Sequence, residues 1–504
     1  MRIRRTLWSP HLTVFLSSAC IMVLELVASR LVAPRLGVSL YTWTSIIGVI
    51  LAGMSIGNFI GGRLADKFAS PSFLGLIFVL AALFSLSILW LVRALGDVAW
   101  SQNLPLLLWV VTDIAIVFLL PSMVLGCVSP IVVKLTLQDL TRTGTTVGKI
   151  YAWSTAGSIL GTFATGFFLI SWLGTKSVVL LVGGILLVMG LWFLTMVRWR
   201  QAALSAAAAV ILFGGTAWTF DAQGVLEPEC FVESNYFCIK LQDTQLGDRE
   251  VRELILDRLV HSYTDLDDPM FLGYGYERTY AGILLPLMER KPDMDAFFIG
   301  GGAYTFPRYL ETMLPESHLV VTEIDPGVTE IAHQELNLPR DTRIDIHNMD
   351  SRLFMMREGT PDSYDLIFGD AFNDYSVPFH LTTLEFDQMI DSLLREDGVY
   401  LANIIDGGQR GQFMRAFVQT LQQVFAHVEV IPTIEGWREA ARTTFVIAAS
   451  QAPIDLSRLN PLYKPLSKEE LDEYLQMEPP LILTDDYVPV DNLLAPVFDD
   501  SHGG

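Results

Sequence analysis

The stretch Asp295-Ala-Phe-Phe-Ile-Gly300-Gly-Gly302 decides the reading of the second half of the chain. The apolar run after Asp295 makes a short buried strand. Three glycines then turn it into a helix beginning near Phe306. The pattern repeats downstream. His318-Leu-Val-Val-Thr-Glu323-Ile-Asp325 is a second strand, followed by a helix over 327–336. Arg343-Ile-Asp-Ile-His347 is a third, Tyr364-Asp-Leu-Ile-Phe-Gly-Asp370 a fourth and Gly398-Val-Tyr-Leu-Ala-Asn403 a fifth. Strands alternating with helices give a doubly wound, Rossmann-like parallel sheet. Ligands bind such sheets outside the carboxyl ends of the strands.

Polar residues fall at those ends. Gly300, Gly301 and Gly302 let the backbone approach a ligand closely. Glu323 closes the second strand, 23 residues after Gly300, where a carboxylate accepts both hydroxyls of a ribose. Asp350 follows the third strand, placed to read an adenine amino group. Asp370 ends the fourth, facing the reacting end of an adenosyl ligand, with Asp374 and Tyr375 close behind it. The chain has neither G-x-G-x-x-G nor a P-loop, so dinucleotides and nucleoside triphosphates fit less well than an S-adenosyl sulfonium. The bland alternative is that Glu323 and Asp350 only cap helices.

Upstream, Tyr236–Leu241 and Val251–Asp257 read as strands of a small β subdomain, and a helix follows from about Tyr276 to Met288. The expected division is 1–220 transmembrane, 221–278 small β, 279–450 Rossmann-like, and 451–504 a tail packing on the latter. Charge follows this division. Residues 1–220 carry 14 Lys/Arg and 5 Asp/Glu, whereas the remainder carries 20 and 50. So acidic a second half disfavours nucleic acid as a partner. The size and composition exclude a small single domain, a disordered chain and a disulfide-rich scaffold.

The first half holds apolar runs near 11–33, 41–62, 72–93, 105–135, 147–172, 177–197 and 202–220. Each is long enough to cross a bilayer, so about seven helices are expected. The fourth contains Pro121 and Pro130, which predicts a kink or a break. Basic residues at the N-terminus and in alternate loops put the N-terminus in the cytoplasm. Seven spans place the soluble half outside, and a miscount by one reverses that. Glu25, Arg30 and Asp113 lie inside spans, either as internal partners or along a substrate path. Gly53, Gly57, Gly61 and Gly62 read as close helix packing. The Gly61–Lys67 segment weakly resembles a loop of major-facilitator transporters. Cys20 and Cys127 read as packing residues. Cys230 and Cys238 read first as buried free thiols, with pairing in an oxidising compartment as the alternative. No Cys/His cluster has metal-ligand spacing, so no metal is expected.

The soluble half resembles spermidine synthases, the polyamine aminopropyltransferases, from about residue 229 to 450. The whole chain resembles their bacterial membrane-fused forms. The resemblance rests on Leu254–Asp257, Gly300–Gly302, Thr322–Asp325, His347–Asp350, Gly369-Asp370, Leu381–Phe386 and Ile431–Thr433. Leu24–Arg30, Tyr151–Ser158 and Leu483–Asn492 also carry it. It implies transfer of an aminopropyl group from decarboxylated S-adenosylmethionine to a diamine such as putrescine, in a multi-pass protein of the bacterial inner membrane. It implies Asp370 as the catalytic carboxylate, Glu323 on the ribose and Asp350 on adenine. Asp374, Tyr375 and Tyr276 would stand near the amine, and a homodimer is expected. Beyond the cationic diamine or polyamine, membrane lipid is the other expected partner.

Three departures qualify it. The family's Gly-Gly-Gly-Asp-Gly becomes Gly300-Gly-Gly-Ala303-Tyr304, and the lost aspartate faces the donor's free amine. Two family glutamines fall at Phe237 and His261, the latter a candidate cofactor contact. The Tyr-His/Gln-Glu segment becomes Gly275-Tyr276-Glu277, so Tyr274 or Tyr276 stands for its tyrosine. Ala303 keeps open an S-adenosylmethionine-dependent methyltransferase or adenosyl-binding sensor. The intramembrane charges keep open a transporter with a regulatory soluble domain.

Overall fold

The computed structural model describes residues 9–96, 105–137, 139–195, 229–371 and 377–501, together with 215, 219, 224 and 225. It divides into two compact units, Met1–Glu229 and Cys230–Gly504.

The first unit is helical: α1 (Pro10–Leu36), α2 (Leu40–Phe68), α3 (Pro71–Gly96), α4 (Leu106–Gly126), α5 (Val128–Thr136), α6 (Thr143–Ala164), α7 (Ile170–Leu173) and α8 (Thr175–Thr195). Ser9 caps α1 by accepting from the Leu12 amide, and Pro10 takes the first helical position, where its missing N–H costs nothing. Helix α4 gives way to α5 at Cys127, between Pro121 and Pro130. A π-helical turn, Thr165–Leu169, joins α6 to α7.

Among the described residues six helical stretches are long and apolar enough to cross a membrane, α4–α5 and α6–α7 each counting once. The expected seventh span, 202–220, lies outside the described residues apart from 215 and 219. Outward side chains are apolar, with Phe59 60%, Phe167 66% and Trp172 76% exposed. Water would penalise such a surface and lipid would not. Inside, small residues bring backbones together. A Cβ on Gly57 would overlap the Met123 carbonyl, and one on Gly157 the Phe15 carbonyl. Asp113 of α4 pairs with Arg35 of α1, which is the internal-partner reading of that charge. Glu25 and Arg30 are partly buried. Asp66, in the transporter-like segment, pairs with Lys134 at 2.8 Å, a structural use for it.

The second unit opens with an antiparallel sheet of β1 (Val232–Glu233), β2 (Cys238–Leu246), β3 (Arg249–Leu256) and β4 (Leu259–Thr264). Cys230 and Cys238 form a disulfide, which corrects the free-thiol expectation. The β1–β2 pairing sets Glu233 opposite Cys238 and returns the chain beside its own start. Cys20 and Cys127 are free and buried.

Helix α9 (Gly275–Arg290) leads into the main sheet. Its strands are β5 (Ala296–Ile299), β6 (Leu319–Thr322), β7 (Asp345–His347), β8 (Tyr364–Gly369), β9 (Leu394–Asp406), β10 (His427–Pro432) and β11 (Thr443–Ser450). Their order is β10-β11-β9-β8-β5-β6-β7. Strands β5 to β9 are parallel, as the apolar runs predict. Strands β10 and β11 extend that parallel sheet with antiparallel pairing, so the whole is mixed. Helices α10 (Thr305–Met313), α11 (Pro326–Glu335), α12 (Ser351–Glu358), α13 (Leu384–Leu393) and α14 (Phe413–Leu421) connect the strands, and α15 (Lys468–Leu475) and α16 (Val490–Ser501) follow. The core is aromatic at its centre. Phe298 stacks on Phe368 at 4.5 Å, with Phe306 and Tyr280 edge-on or tilted against Phe368. In the tail, Asp485 makes a two-pronged ion pair with Arg352 of α12 and accepts from Thr383. That tail motif therefore fastens the C-terminal segment to the sheet's helices.

Candidate active site

Strand order reverses between β5 and β8, whose neighbours on the far sides are β6 and β9. Connections diverge there and leave a crevice beyond the carboxyl ends. The glycine turn follows β5 directly. Gly300 has φ +96°, and an added Cβ would strike the Asp370 carbonyl, so a side chain is barred on both counts. Around Gly302 an added Cβ would meet nothing within 4 Å, so the turn borders open space.

Glu323, just past β6, is buried. Its Oε2 accepts from the amides of Gly301 at 2.9 Å and Gly302 at 3.3 Å, and its Oε1 from Asp325 N at 2.9 Å. The carboxylate is thus lodged against the glycine turn. Burial raises its pKa, and the Asp325 and Gly301 amides oppose the rise. The cap of α11 is Asp325, not Glu323. Asp350 does cap α12, accepting from Leu353 N at 2.9 Å, and its other oxygen meets His380 Nε2 at 2.7 Å. The capping alternative therefore holds in part for Asp350, which does not line the cavities described next.

Asp370 follows β8 directly and is the meeting point of two cavities. One is lined by the glycine turn with Ala303, Glu277, Tyr280, Ser262 and Phe306. The other, about 320 Å³, is lined by Val260, Tyr274, Asn403, Arg442, Thr443 and Thr444 among others. His261, Tyr276 and Asp370 border both. Tyr276 Oη donates to Asp370 Oδ2 at 2.9 Å, and Asn403 Nδ2 donates to Oδ1 at 2.9 Å. Burial raises the Asp370 pKa, and those two hydrogen bonds, Asn403 first, pull it back. Glu277 is pushed up to about 8, mainly by burial, against the Tyr274 amide that it accepts from at 2.9 Å. Buried Ser262 Oγ and Tyr280 Oη on the first cavity have no hydrogen-bond partner among the described residues, nor do Asn403 Oδ1 and Thr443 Oγ1 on the second. Unmet polar atoms in a cavity are what a polar ligand satisfies.

The structure thus brings Gly300–Gly302, His261, Tyr276 and Asp370 together, with Glu323 against the turn. Asp374 and Tyr375 lie outside the described residues. Asn403, Glu277, Tyr280 and the Arg442–Thr444 segment were not singled out as site residues by sequence. For Asn403 a signal existed, since it is a polar residue that interrupts the apolar run of β9.

The fold is that of methyltransferase-type Rossmann-like domains, preceded in sequence by a helical unit with, among the described residues, six stretches long and apolar enough to cross a membrane. The comparisons sharpen this. A polyamine aminopropyltransferase of Vibrio vulnificus is 34% identical over 142 residues, 28% of this chain and 46% of that protein. A probable polyamine aminopropyl transferase of Bifidobacterium longum is 28% identical over 276 residues, 50% of this chain and 59% of that one. The chain therefore spans only about half the length of these curated relatives. A crystal structure of a probable spermidine synthase from Corynebacterium glutamicum superposes with a TM-score of 0.46 at 21% identity, covering 51% of this chain and 96% of that one. No family model matches the chain. Over part of its length the chain is thus similar to polyamine aminopropyltransferases, and among its described residues it has six helical stretches long and apolar enough to cross a membrane.

Proposed function

We propose that the C-terminal unit transfers an aminopropyl group from decarboxylated S-adenosylmethionine to an amine. The observation that carries this is a buried carboxylate, Asp370, at the junction of two cavities, one bordered by a glycine turn with a carboxylate on it. The residues suit an adenosyl ligand. Glu323 would accept from ribose hydroxyls, Gly300–Gly302 would lie against the nucleoside, and Ser262 and Tyr280 would supply their unmet hydroxyls. Asp350, free of the cavities, would reach adenine only through its His380-bound edge.

The donor supplies a carbon activated by an adjacent sulfonium. The amine nitrogen bonds to that carbon as the C–S bond breaks, and the electron pair leaves on sulfur as methylthioadenosine. The amine must be uncharged to attack, so a base must hold its proton. Asp370 takes that role. A carboxyl whose pKa is raised by burial is a better base than an exposed one, and Tyr276 and Asn403 fix its orientation. Asp374 and Tyr375 would assist on the amine side, and His261 borders both cavities.

Methyl transfer is the second reading, and Ala303 favours it. The donor cavity carries no carboxylate at that position, and burial pushes its other acid, Glu277, toward the neutral form. We also propose that the helices lie in a bacterial inner membrane with the N-terminus cytoplasmic, as the basic loops suggest.

The test is product identification by mass spectrometry, using the purified full chain, putrescine and either donor. Methylthioadenosine with an aminopropylated amine, lost in Asp370→Asn, is the expected result. S-adenosylhomocysteine from ordinary S-adenosylmethionine would move the assignment to methyl transfer.

A further inference from the structure

We propose that the chain enters its C-terminal unit on the non-cytoplasmic side of the membrane. The Asp370 site then faces that side, and a transport step must supply it with any charged donor made inside the cell. The inference goes beyond the transferase reading and does not depend on it.

Helix packing fixes which helix ends share a face. Helix α1 runs parallel to α6, because His11 meets Trp153 at 6.0 Å while Gly157 lies against Phe15 and Gly161 against Ala19. Helix α2 runs parallel to α4, with Gly53 against Ser122 and Gly57 against Met123 and Gly126. Helix α3 runs antiparallel to α8, with Gly75 against Leu194 and Gly190 against Val79. Short connections join α1 to α2, α2 to α3 and α7 to α8. One face therefore holds the starts of α1, α3 and α6 and the ends of α2, α5 and α8. The opposite face holds the end of α3 and the start of α8.

The chain is back at that opposite face when the helical unit ends. Helix α8 carries it away from Lys176 for 21 residues, about 30 Å. Yet Lys176 Nζ donates to the Val225 carbonyl at 3.0 Å and pairs with Glu229 at 3.2 Å. Arg93, near the end of α3, donates to the Gly224 carbonyl at 2.6 Å. Val225 is buried in the helical core. The chain thus covers the length of α8 again between Thr195 and Gly224, and Cys230 follows Glu229 directly. Charge tells the faces apart. Of the 14 Lys/Arg before residue 221, ten fall in sequence at helix ends of the first face. Only Arg35, Arg93 and Lys176 fall at those of the opposite face, and Arg30 lies within α1. No Lys or Arg occurs between Arg200 and Lys240. The first face is therefore cytoplasmic, and the exit is not. The cysteines agree. Cys230 and Cys238 are the only two beyond the helical unit, and they are paired, as cysteines are on the oxidising side of a membrane. A sulfonium carries a fixed charge, which hydrocarbon penalises, so such a donor crosses to this site only on a carrier.

Cysteine labelling of the full chain in spheroplasts of a bacterial host tests this. Lys67→Cys, exposed near the end of α2, marks the first face, and Glu473→Cys, exposed on α15, marks the C-terminal unit. A membrane-impermeant maleimide should label Glu473→Cys to the same extent before and after lysis, and Lys67→Cys only after it. Labelling of Glu473→Cys only after lysis would overturn the inference, and so would labelling of Lys67→Cys before it. Protease added to spheroplasts bearing the unmodified chain gives the same reading without a substitution. Loss of the C-terminal unit before lysis is expected, and survival before lysis with loss after it would overturn the inference. Methylthioadenosine release from externally added decarboxylated donor is scored in parallel. Release that lysis does not increase is expected, and release that appears only on lysis would overturn the inference. No release from either preparation would remove the transferase reading and leave the labelling result standing.

Discussion

The two sides of Asp370 are built differently. On the donor side the main chain does much of the binding, through a glycine turn and a carboxylate lodged on its amides. On the acceptor side the wall is made of side chains from β4, β9 and the start of β11. A main-chain site depends on a local run of sequence. A side-chain site depends on which distant strands are brought together. The first tolerates few substitutions at its glycines, whereas the second can change its ligand with one residue.

Substitutions that act on one side and spare the other would sharpen that contrast, and substitutions that act on both would break it. The largest effect belongs to the shared residue. Asp370→Asn should lower turnover by about 10²–10⁴-fold, the usual range for a positioned base, while donor affinity changes little. Its pH profile should lose the acidic limb, because the unmodified enzyme needs Asp370 ionised and loses activity as pH falls through its raised pKa. Gly300→Ala comes next. The added Cβ meets the Asp370 carbonyl at a positive φ, which costs about 1–3 kcal/mol of stability and weakens donor binding. Thermal unfolding with methylthioadenosine titration would measure both. Thr443→Val should weaken acceptor binding by about 0.5–1.5 kcal/mol, the worth of one neutral hydrogen bond, and leave donor affinity alone.

Glu277 gives a pH effect on stability rather than on binding. Its pKa is about 8 in the fold against 4.5 for a free glutamate. Below 4.5 both folded and unfolded states hold the proton. Between 4.5 and 8 only the folded state does, so stability falls as pH rises through that window and levels off above it. Asp406, raised to about 7, adds the same sign. Glu277→Gln keeps the acceptor for the Tyr274 amide and should flatten the curve of melting temperature against pH.

The same contrast explains what the sequence reveals. The donor side is legible because apolar runs ending in glycine or a carboxylate mark strand ends directly, as at Gly300, Glu323 and Asp370. Asp350 shows the limit, since its helix cap and its His380 contact come from its own helix and a later turn. Arg442 and Thr443 leave no such mark. Their position depends on β11 returning antiparallel beside β9, a pairing that no local pattern announces. The Cys230–Cys238 bond has the same origin, in the β1–β2 register. In the helical unit, apolar length makes the spans legible, and the spacing of Gly57 anticipates its contact on α4. The pairing of Asp113 with Arg35 needed the packing of α1 on α4, which no local pattern announces.

The most direct measurement is an experimental structure of the full chain with methylthioadenosine and an acceptor amine. The account predicts the nucleoside against Gly300–Gly302 and Glu323, with the amine nitrogen within hydrogen-bond distance of Asp370 and the rest of the acceptor beside Asn403 and Thr443. A nucleoside bound elsewhere, or an amine with no contact to Asp370, would contradict it.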